Sequence, residues 1–351
     1  MRPKKGLFVT ALLTVLVLGL VTIWSTAPDL FYTQLAFAIA GVIIVILLSR
    51  FDSETFFSLS NFLYIASILL LILTMVVGRN VRGSVRWIDL GLFNLQTSEI
   101  VKPFLAIFYS SYLSKNKINR WPDILKFLFL SFIPVVLVAI QPDMGSALTL
   151  ICLPLVLLIF TGHLRKILIV GAIFFAIAIP LESKVLKPYQ RQRFETFINP
   201  YKDPQGAGYN VIQATIAVGS GGVFGKGVKL GTQSHLNFLP ERHTDFIFAS
   251  FVEEFGLLGA TFLLAAYFII FRTCLLSGKT QKDSRTALLS LSVFTILAFQ
   301  TVVNIGMNLG VMPVTGITLP LFSYGGSSLL SFAILIGLQL RQLDLTTPFE
   351  I

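Results

Sequence analysis

Long apolar stretches alternate with short polar segments along almost the whole of this chain. A helix needs about 20 mostly apolar residues to cross a bilayer. By that criterion the pattern predicts ten transmembrane helices, so the expected fold class is an all-α polytopic membrane protein. The predicted spans are residues 7–24, 31–49, 59–77, 99–113, 124–140, 145–160, 166–181, 245–271, 286–309 and 323–340.

The composition agrees with this class. Hydrophobic residues make up 55% of the 351 residues and charged residues 13%, whereas soluble proteins contain about 25% charged residues. Too little polar surface is available to cover a soluble globule, and the chain is too apolar for a disordered protein or a coiled coil. The two cysteines and three histidines show no metal-ligand spacing, so no metal site built from them is expected.

The positive charges predict how the spans are oriented. Lys and Arg number 27, against 17 Asp and Glu. Membrane proteins concentrate Lys and Arg in their short cytoplasmic segments. With the N-terminus inside, the clusters at Lys4 and Lys5 and at Lys279, Lys282 and Arg285 fall on the inner side. We therefore expect both termini in the cytoplasm, and the basic charge requires no nucleic-acid partner.

One long extracytoplasmic loop, residues 182–244, is expected between spans 7 and 8 of a single membrane domain, residues 1–351. Its cations are Lys184, Lys187, Arg191, Arg193, Lys202, Lys226, Lys229 and Arg242, and its acids are Glu182, Glu195, Asp203 and Glu241. Loops of this length largely escape the charge rule, so the excess of cations needs another reason. A solvated surface and a binding surface for an anionic substrate at the outer membrane face both explain it.

A glycine-rich segment, residues 219–227, lies within this loop. Glycine lets backbone N–H groups approach a ligand closely, and successive N–H groups bind phosphate. Lys226 would add a positive charge. The segment does not match the nucleotide-binding P-loop, because Gly227 stands where that motif has Ser or Thr. A phosphate contact and a flexible loop with tight turns both stay open.

Three acidic residues lie at or near the start of span 8. Asp245 either caps the helix or, where the charged loop meets the membrane, accepts a proton from a substrate. Glu253 lies eight residues farther along, about 12 Å in a helix, and Glu254 follows it. Acidic side chains inside a span are costly, so both glutamates are expected to face the bundle interior or a cavity.

Charged residues also occur at two other external segments. Arg86 and Trp87 begin an amphipathic segment that leads to Glu99 and Lys102, whose i,i+3 spacing on a helix permits an ion pair. A structural pair and a cavity wall are both consistent with this spacing. Asp143 lies in a tight turn between spans 5 and 6 and is expected to cap the helix that follows.

Together these segments resemble the SEDS family (shape, elongation, division and sporulation). The similar stretches, in chain order, are Arg86–Trp87, residues 91–102, Gln141–Gly145, residues 203–209, residues 219–227, Leu239–Ala249, Glu253–Glu254 with Gly256, and Pro313–Ser328. They extend over most of the chain. The short N-terminus and residues Leu239–Asp245 are more similar to the rod-shape (RodA) branch of the family than to the division (FtsW) branch.

The resemblance implies a ten-span peptidoglycan glycosyltransferase of the bacterial plasma membrane. Such enzymes polymerise lipid II, a disaccharide peptide carried on undecaprenyl pyrophosphate, and work with a class B penicillin-binding protein, a transpeptidase. Asp245 matches the acid regarded as essential in the family, and Glu99 and Lys102 match its Glu and Lys at the start of the fourth span. Pro103, directly after Lys102, departs from the family pattern.

For this activity Asp245 is the predicted base of an inverting transfer. The residues predicted to bind substrate are Arg86, Trp87, Glu99, Lys102, Asp143, Arg191, Arg193, Lys226, Glu253 and Glu254, of which Arg86, Arg191, Arg193 and Lys226 would hold pyrophosphate. No motif requires a cofactor, although carboxylates beside a pyrophosphate would recruit a divalent cation. The expected partners are lipid II, the transpeptidase and membrane lipid. The alternatives are a lipid II flippase, a scaffold for the transpeptidase and a division-type member of the family.

Overall fold

The computed structural model describes residues 4–81, 84–91, 93–116, 118, 120–173, 188–206 and 208–345. Its helices are α1 (Lys5–Thr26), α2 (Pro28–Arg50), α3 (Ser53–Ser58), α4 (Ser60–Val77), α5 (Thr97–Lys115), α6 (Trp121–Ile140), α7 (Met144–Phe160), α8 (residues 164–173), α9 (Pro188–Ile198), α10 (Tyr209–Ser220), α11 (Thr232–His235), α12 (Ile247–Thr280), α13 (Ser284–Asn308) and α14 (Gly326–Leu345). A 3-10 turn covers Pro200–Lys202.

Within these ranges, seven helices are long and apolar enough to cross a membrane: α1, α2, α4, α6, α12, α13 and α14. α7 is a shorter apolar helix, and α5 and α8 occupy the predicted fourth and seventh spans. Residues 174–181 of the predicted seventh span and residues 182–187 of the predicted loop lie outside the described residues. The predicted fold class, a multi-pass helical membrane protein, is confirmed.

The centre of the bundle is formed by α13 and α14. In their most apolar segments 72% and 78% of the residues are buried, against 17% in α2 and 22% in α4. α2 and α4 instead expose large apolar side chains, among them Ile43, Leu47 and Leu69. Apolar side chains exposed in such numbers mark a surface that contacts membrane lipid. The polar residues buried around α13 are therefore shielded from lipid by the outer helices.

A small antiparallel sheet occupies the segment predicted to be amphipathic before span 4. Its strands are β1 (Arg79–Val81), β2 (Ser84–Asp89) and β3 (Asn94–Gln96), in the order β1-β2-β3. Trp87 of β2 pairs with Arg79 on one side and with Gln96 on the other. The sheet is a local addition to the predicted all-α fold. It carries Arg86 on its central strand, and α5 begins directly after β3.

Helix α12 is broken at Gly256, where φ is 66° and ψ is −165°. This backbone conformation is essentially restricted to glycine. The glycine-rich segment lies against the break. Lys226 N–H and Gly227 N–H donate to the carbonyls of Glu253 and Glu254 at 2.9 and 3.0 Å, and Leu257 N–H donates to Gly222 O at 2.9 Å. These two loop N–H groups therefore satisfy the helix break and are not available to bind phosphate.

Candidate active site

A cavity of about 590 Å³ opens at the end of the bundle predicted to face outward. Its walls are β2, α9, α10, the segment before α12 and the loop between α13 and α14. The charged residues that line it are Arg86, Arg193, Glu241 and Asp245. Three of these four were predicted as site residues, and they come from segments far apart in the chain. The cavity therefore combines two carboxylates with two guanidinium groups at one end of a membrane bundle.

Asp245 lies two residues before the first residue of α12. The N-cap position of this helix is Phe246, so Asp245 lies one residue before it. A Cβ placed on Gly316, which has a φ of 76°, would lie 3.7 Å from Asp245 Oδ2. The carboxylate thus faces the loop that forms the opposite wall of the cavity. Its position suits contact with a group bound there.

Arg86 reaches the cavity from β2 and is held by two neighbours. Its guanidinium lies 4.2 Å from the centre of the Trp87 ring, and its Nη1 lies 3.8 Å from Asp143 Oδ1. Trp87 and Asp143 do not themselves line the cavity. Both residues contact Arg86 and orient its guanidinium. They were predicted to bind substrate directly, and in the structure they support a residue that lines the cavity.

Asp143 caps α7 as predicted, because its side chain accepts a hydrogen bond from Ser146 N–H at 3.2 Å. It also accepts bonds from Ser98 Oγ at 2.7 Å and from Gln96 Nε2 at 2.9 Å. Burial raises the pKa of this carboxyl, but the positive charge of Arg86 and the Ser98 hydrogen bond, with smaller contributions from Lys102 and Ser146 N–H, lower it more. The net pKa of Asp143 lies below its ordinary value, so the residue carries a negative charge beside Arg86 at neutral pH.

The remaining predicted cations separate into two groups. Arg191 and Arg193 on α9 are both exposed, but only Arg193 lines the cavity. Lys226 donates from Nζ to Glu253 Oε1 and to Thr232 Oγ1, both at 2.8 Å. An ion pair within the protein thus uses the Lys226 charge that was predicted for pyrophosphate.

Glu253 and Glu254 are buried, as expected, but they face the long loop. Glu253 accepts bonds from Gln233 N–H at 2.9 Å and Ser234 Oγ at 2.9 Å, in addition to Lys226. Glu254 accepts a bond from Ser25 Oγ on α1 and lies 2.9 Å from His235 Nε2. Neither glutamate lines the cavity. Both anchor the loop to the broken helix.

The predicted pair of Glu99 and Lys102 is confirmed, with Lys102 Nζ 2.5 Å from Glu99 Oε1. Lys102 is fully buried, and Ser331 Oγ of α14 donates to Glu99 O at 2.7 Å. Neither residue lines the cavity, so of the two interpretations the structural pair fits better than the cavity wall. Lys102 still influences the site electrostatically, because it helps to lower the pKa of Asp143.

Three residues at the site were not singled out from the sequence. Glu241 lines the cavity together with Asp245. Asn304 and Asn308 of α13 are fully buried and donate from Nδ2 to Asp245 O, each at 3.0 Å. The asparagines could have been noticed in the sequence as two amide side chains four residues apart in an apolar span. Polar side chains buried in a membrane need hydrogen-bonding partners, so such a pair indicates a specific contact.

The fit of a divalent cation rests on two carboxylates, because Glu241 and Asp245 both line the cavity. Among the residues that the structure describes, no group of three or more His, Cys, Asp and Glu side chains is placed to hold a metal ion. Hard cations such as Mg²⁺ are bound by one or two protein carboxylates together with substrate phosphates. The two carboxylates fit that pattern once a pyrophosphate is bound.

Comparisons with known proteins agree over most of the chain. The sequence profile of a family described as FTSW_RODA_SPOVE, Cell cycle protein, matches residues 6–345. The peptidoglycan glycosyltransferase MrdB of Escherichia coli (strain K12) is 36% identical over 327 residues, which cover 91% of this chain and 88% of that protein.

Two solved structures are similar in fold as well as sequence. One is a chain from a study of structural coordination of polymerization and crosslinking by a peptidoglycan synthase complex. It is 35% identical, with a TM-score of 0.84 and full coverage of both chains. The other, the rod shape determining protein RodA of Thermus thermophilus, is 30% identical, with a TM-score of 0.74 over 98% of this chain and 97% of that chain.

Proposed function

The chain belongs to the FtsW, RodA and SpoVE family of cell cycle proteins, and we propose that it is a peptidoglycan glycosyltransferase that polymerises lipid II at the outer face of the bacterial plasma membrane. The observation that carries the proposal is the cavity in which Asp245 and Glu241 lie with Arg86 and Arg193. The relative from E. coli, named for the same activity, supports it.

The chemical character of the cavity matches that of lipid II. This substrate joins a long apolar chain to a pyrophosphate and a polar disaccharide peptide. The cavity is lined by charged and polar groups, and it opens from a bundle whose outer helices α2 and α4 expose apolar side chains. The polar head of lipid II can therefore bind in the cavity while its apolar chain stays in the membrane.

Asp245 is the proposed general base. The 4-hydroxyl oxygen of an acceptor sugar attacks the anomeric carbon of the donor, a new C–O bond forms, and the bond to the lipid pyrophosphate breaks. The Asp245 carboxylate takes the hydroxyl proton, and the electron pair of the broken bond leaves on the pyrophosphate. An α-linked donor and a β-linked product require inversion, which needs a base but no covalent intermediate.

Arg86 and Arg193 are the proposed partners of the leaving pyrophosphate. Guanidinium groups form two parallel hydrogen bonds with phosphate oxygens and stabilise the negative charge that develops as the bond breaks. Trp87 and Asp143 hold Arg86 in this orientation. A divalent cation bound by Glu241 and Asp245 together with the pyrophosphate would supply further stabilisation of that charge.

The test is polymerisation of purified lipid II by the purified protein in detergent. Asp245→Asn keeps the size of the side chain but cannot accept the proton, so kcat is expected to fall by about 10²- to 10⁴-fold. Asp29→Asn, which removes the same charge from the exposed start of α2, is the matched control and should retain full activity. Wild-type rates of glycan synthesis by Asp245→Asn would rule out the assignment of the base.

The same assay separates the enzyme from its alternatives. Detergent removes the need to move lipid II across a membrane, so glycan chains made there identify a polymerase and not a flippase or a scaffold. The buried acids that would suit a transporter, Glu253 and Glu254, are engaged by the long loop. If the wild type and Asp29→Asn are both folded and stable but neither makes glycan in this assay, the proposed activity is contradicted.

A class B penicillin-binding protein is the proposed partner, and elongation is the proposed cellular role. The solved complex that couples polymerization with crosslinking supports a transpeptidase partner. The similarity to the RodA structure supports the rod-shape branch over the division branch. Co-purification with the elongation transpeptidase, and not with the division transpeptidase, is the expected result.

A further inference from the structure

Two buried asparagines on α13, Asn304 and Asn308, contact the backbone of Asp245. Each donates from Nδ2 to Asp245 O at 3.0 Å. A carbonyl oxygen has two lone pairs, so these bonds fill the acceptor capacity of Asp245 O. Both asparagines are fully buried, and neither lines the cavity. Their amides therefore act on the chain that carries Asp245 and do not touch a bound substrate.

Asn308 bridges two backbone groups at the start of α12. Its Oδ1 accepts a hydrogen bond from Ala249 N–H at 2.9 Å, while its Nδ2 donates to Asp245 O. Ala249 and Asp245 are four residues apart, and a regular helix joins such N–H and C=O groups directly. The Asn308 amide spans the two groups that the first turn of a longer helix would pair. It therefore holds Asp245 in the turn that precedes α12.

Asn304 connects the same carbonyl to the opposite wall of the cavity. Its Nδ2 donates to Ile317 O at 2.7 Å as well as to Asp245 O. Ile317 directly follows Gly316, where an added Cβ would lie 3.7 Å from Asp245 Oδ2. One side chain thus fixes the distance between the two backbone segments on either side of the carboxylate.

We propose that Asn304 and Asn308 are positioning residues that keep the Asp245 carboxylate directed into the cavity. The proposal rests on the proposed function, in which Asp245 is the base. Without the Asn308 amide, Ala249 N–H and Asp245 C=O can pair with each other and extend the start of α12 by one residue. That change rotates the Asp245 side chain about the helix axis and away from the cavity.

The structure offers a matched control on the same helix. Gln300 is fully buried one turn before Asn304, and its amide makes no hydrogen bond to the residues that the structure describes. Gln300→Ala therefore removes a buried amide from α13 without releasing Asp245. A loss of activity that comes only from weakened packing of α13 would affect Gln300→Ala as much as Asn308→Ala.

The first measurement is steady-state polymerisation of lipid II. A displacement of about 1 Å in a catalytic group costs about 10²-fold in rate. Asn308→Ala is expected to lower kcat by about that factor and to leave KM for lipid II within about threefold. Asn308→Asp keeps the acceptor for Ala249 N–H but loses the donor to Asp245 O, so it should lower kcat as well. Wild-type kcat in both variants, or an equal loss in Gln300→Ala, would overturn the proposal.

The second measurement does not depend on activity. With Cys152 and Cys274 replaced by alanine, Asp245→Cys places one thiol at the base position, and a water-soluble thiol reagent reports whether that side chain faces the cavity. Adding Asn308→Ala should slow labelling at least about tenfold, whereas adding Gln300→Ala should leave the rate within about twofold. Equal labelling rates in all three backgrounds would refute the positioning role, even in a protein that makes no glycan. An inactive wild type with the expected labelling pattern would refute only the proposed function.

Discussion

Asp143 illustrates how a single buried carboxylate supports the site without lining it. It caps α7, accepts hydrogen bonds from Ser98 and Gln96, and lies 3.8 Å from the guanidinium of Arg86. These contacts hold its pKa below the ordinary value despite its burial. Since the contacts are made only in the folded protein, the charged form of Asp143 stabilises the fold.

The first prediction concerns the pH dependence of this contribution. Because the folded-state pKa is depressed, the contribution of Asp143 is present above its unfolded pKa of about 3.9 and is lost as pH falls through the lower folded-state pKa. Asp143→Asn should therefore destabilise the protein at pH 7, by about 1–3 kcal/mol, with a gap to wild type that narrows below about pH 4. Thermal unfolding in detergent across pH 3 to 8 measures this. A gap that stays constant over the whole range would show that the charge of Asp143 is not involved.

Asp245 and Glu253 show why two acidic residues only eight positions apart need separate arguments. Both occur near the start of α12, and both were predicted as site residues. The Asp245 carboxylate faces a cavity, whereas Glu253 is bonded to Lys226, Gln233 and Ser234 of the long loop. The same residue chemistry therefore has a proposed catalytic role in one case and an anchoring role in the other.

At the scale of elements, the broken helix α12 and the glycine-rich segment form one unit. The break at Gly256 frees backbone groups of Glu253, Glu254, Leu257 and Leu258, and the segment supplies the matching donors and acceptors. Unpaired backbone groups are expensive at the edge of a membrane. The loop is thereby tied to the outer end of the long α12 helix, on which the position of Asp245 depends.

Gly256→Ala is predicted to disrupt this unit. A Cβ at position 256 would lie 2.3 Å from Gly225 N and 2.5 Å from Val223 O, and the backbone there has a φ of 66°. Backbone strain costs about 1–3 kcal/mol and overpacking costs a similar about 1–3 kcal/mol, so the melting temperature should fall by several degrees or more. Gly219→Ala is the control, because its Cβ would meet no atom within 4 Å. Equal melting temperatures for the two variants would contradict the clash.

The whole molecule is organised by two surfaces of different character. Apolar side chains on helices such as α2 and α4 face lipid, and the polar cavity lies at one end of the bundle. The cluster of Lys279, Lys282 and Arg285 lies around the junction of α12 and α13, whereas Asp245 directly precedes the other end of α12. These cations are therefore at the opposite end of the bundle from the cavity, and the rule for positive residues predicts that this end faces the cytoplasm.

The orientation itself can be tested with single cysteines. In a background with Cys152 and Cys274 replaced by alanine, Asp29→Cys at the start of α2 should react with a membrane-impermeant reagent in intact cells. Lys282→Cys, exposed between α12 and α13, should react only after the membrane is permeabilised. If position 282 reacts in intact cells and position 29 reacts only after permeabilisation, the cavity faces the cytoplasm and the termini lie outside. That result would exclude polymerisation at the outer face.

Several features could be predicted from the sequence because they depend on residues near each other in the chain. The spans follow from runs of apolar residues, the Asp143 cap follows from its place before α7, and the pair of Glu99 and Lys102 follows from their i,i+3 spacing. Charge order along the chain predicts the orientation, and the motifs of the family predict its membership, which the comparisons confirm. For the spans, the cap, the ion pair and the family membership, the sequence by itself was sufficient, whereas the orientation stays a prediction.

Only the tertiary structure decided which charged residues meet. One cavity is lined by Arg86, Arg193 and Asp245, which come from segments about 50 to 160 residues apart. Lys226, in contrast, pairs with Glu253 and does not line this cavity. The contacts of Asn304 and Asn308 with Asp245 O likewise join α13 to a segment about 60 residues earlier. The physical reason is that the partner of a side chain depends on how the helices pack, and hydropathy and spacing describe one segment at a time.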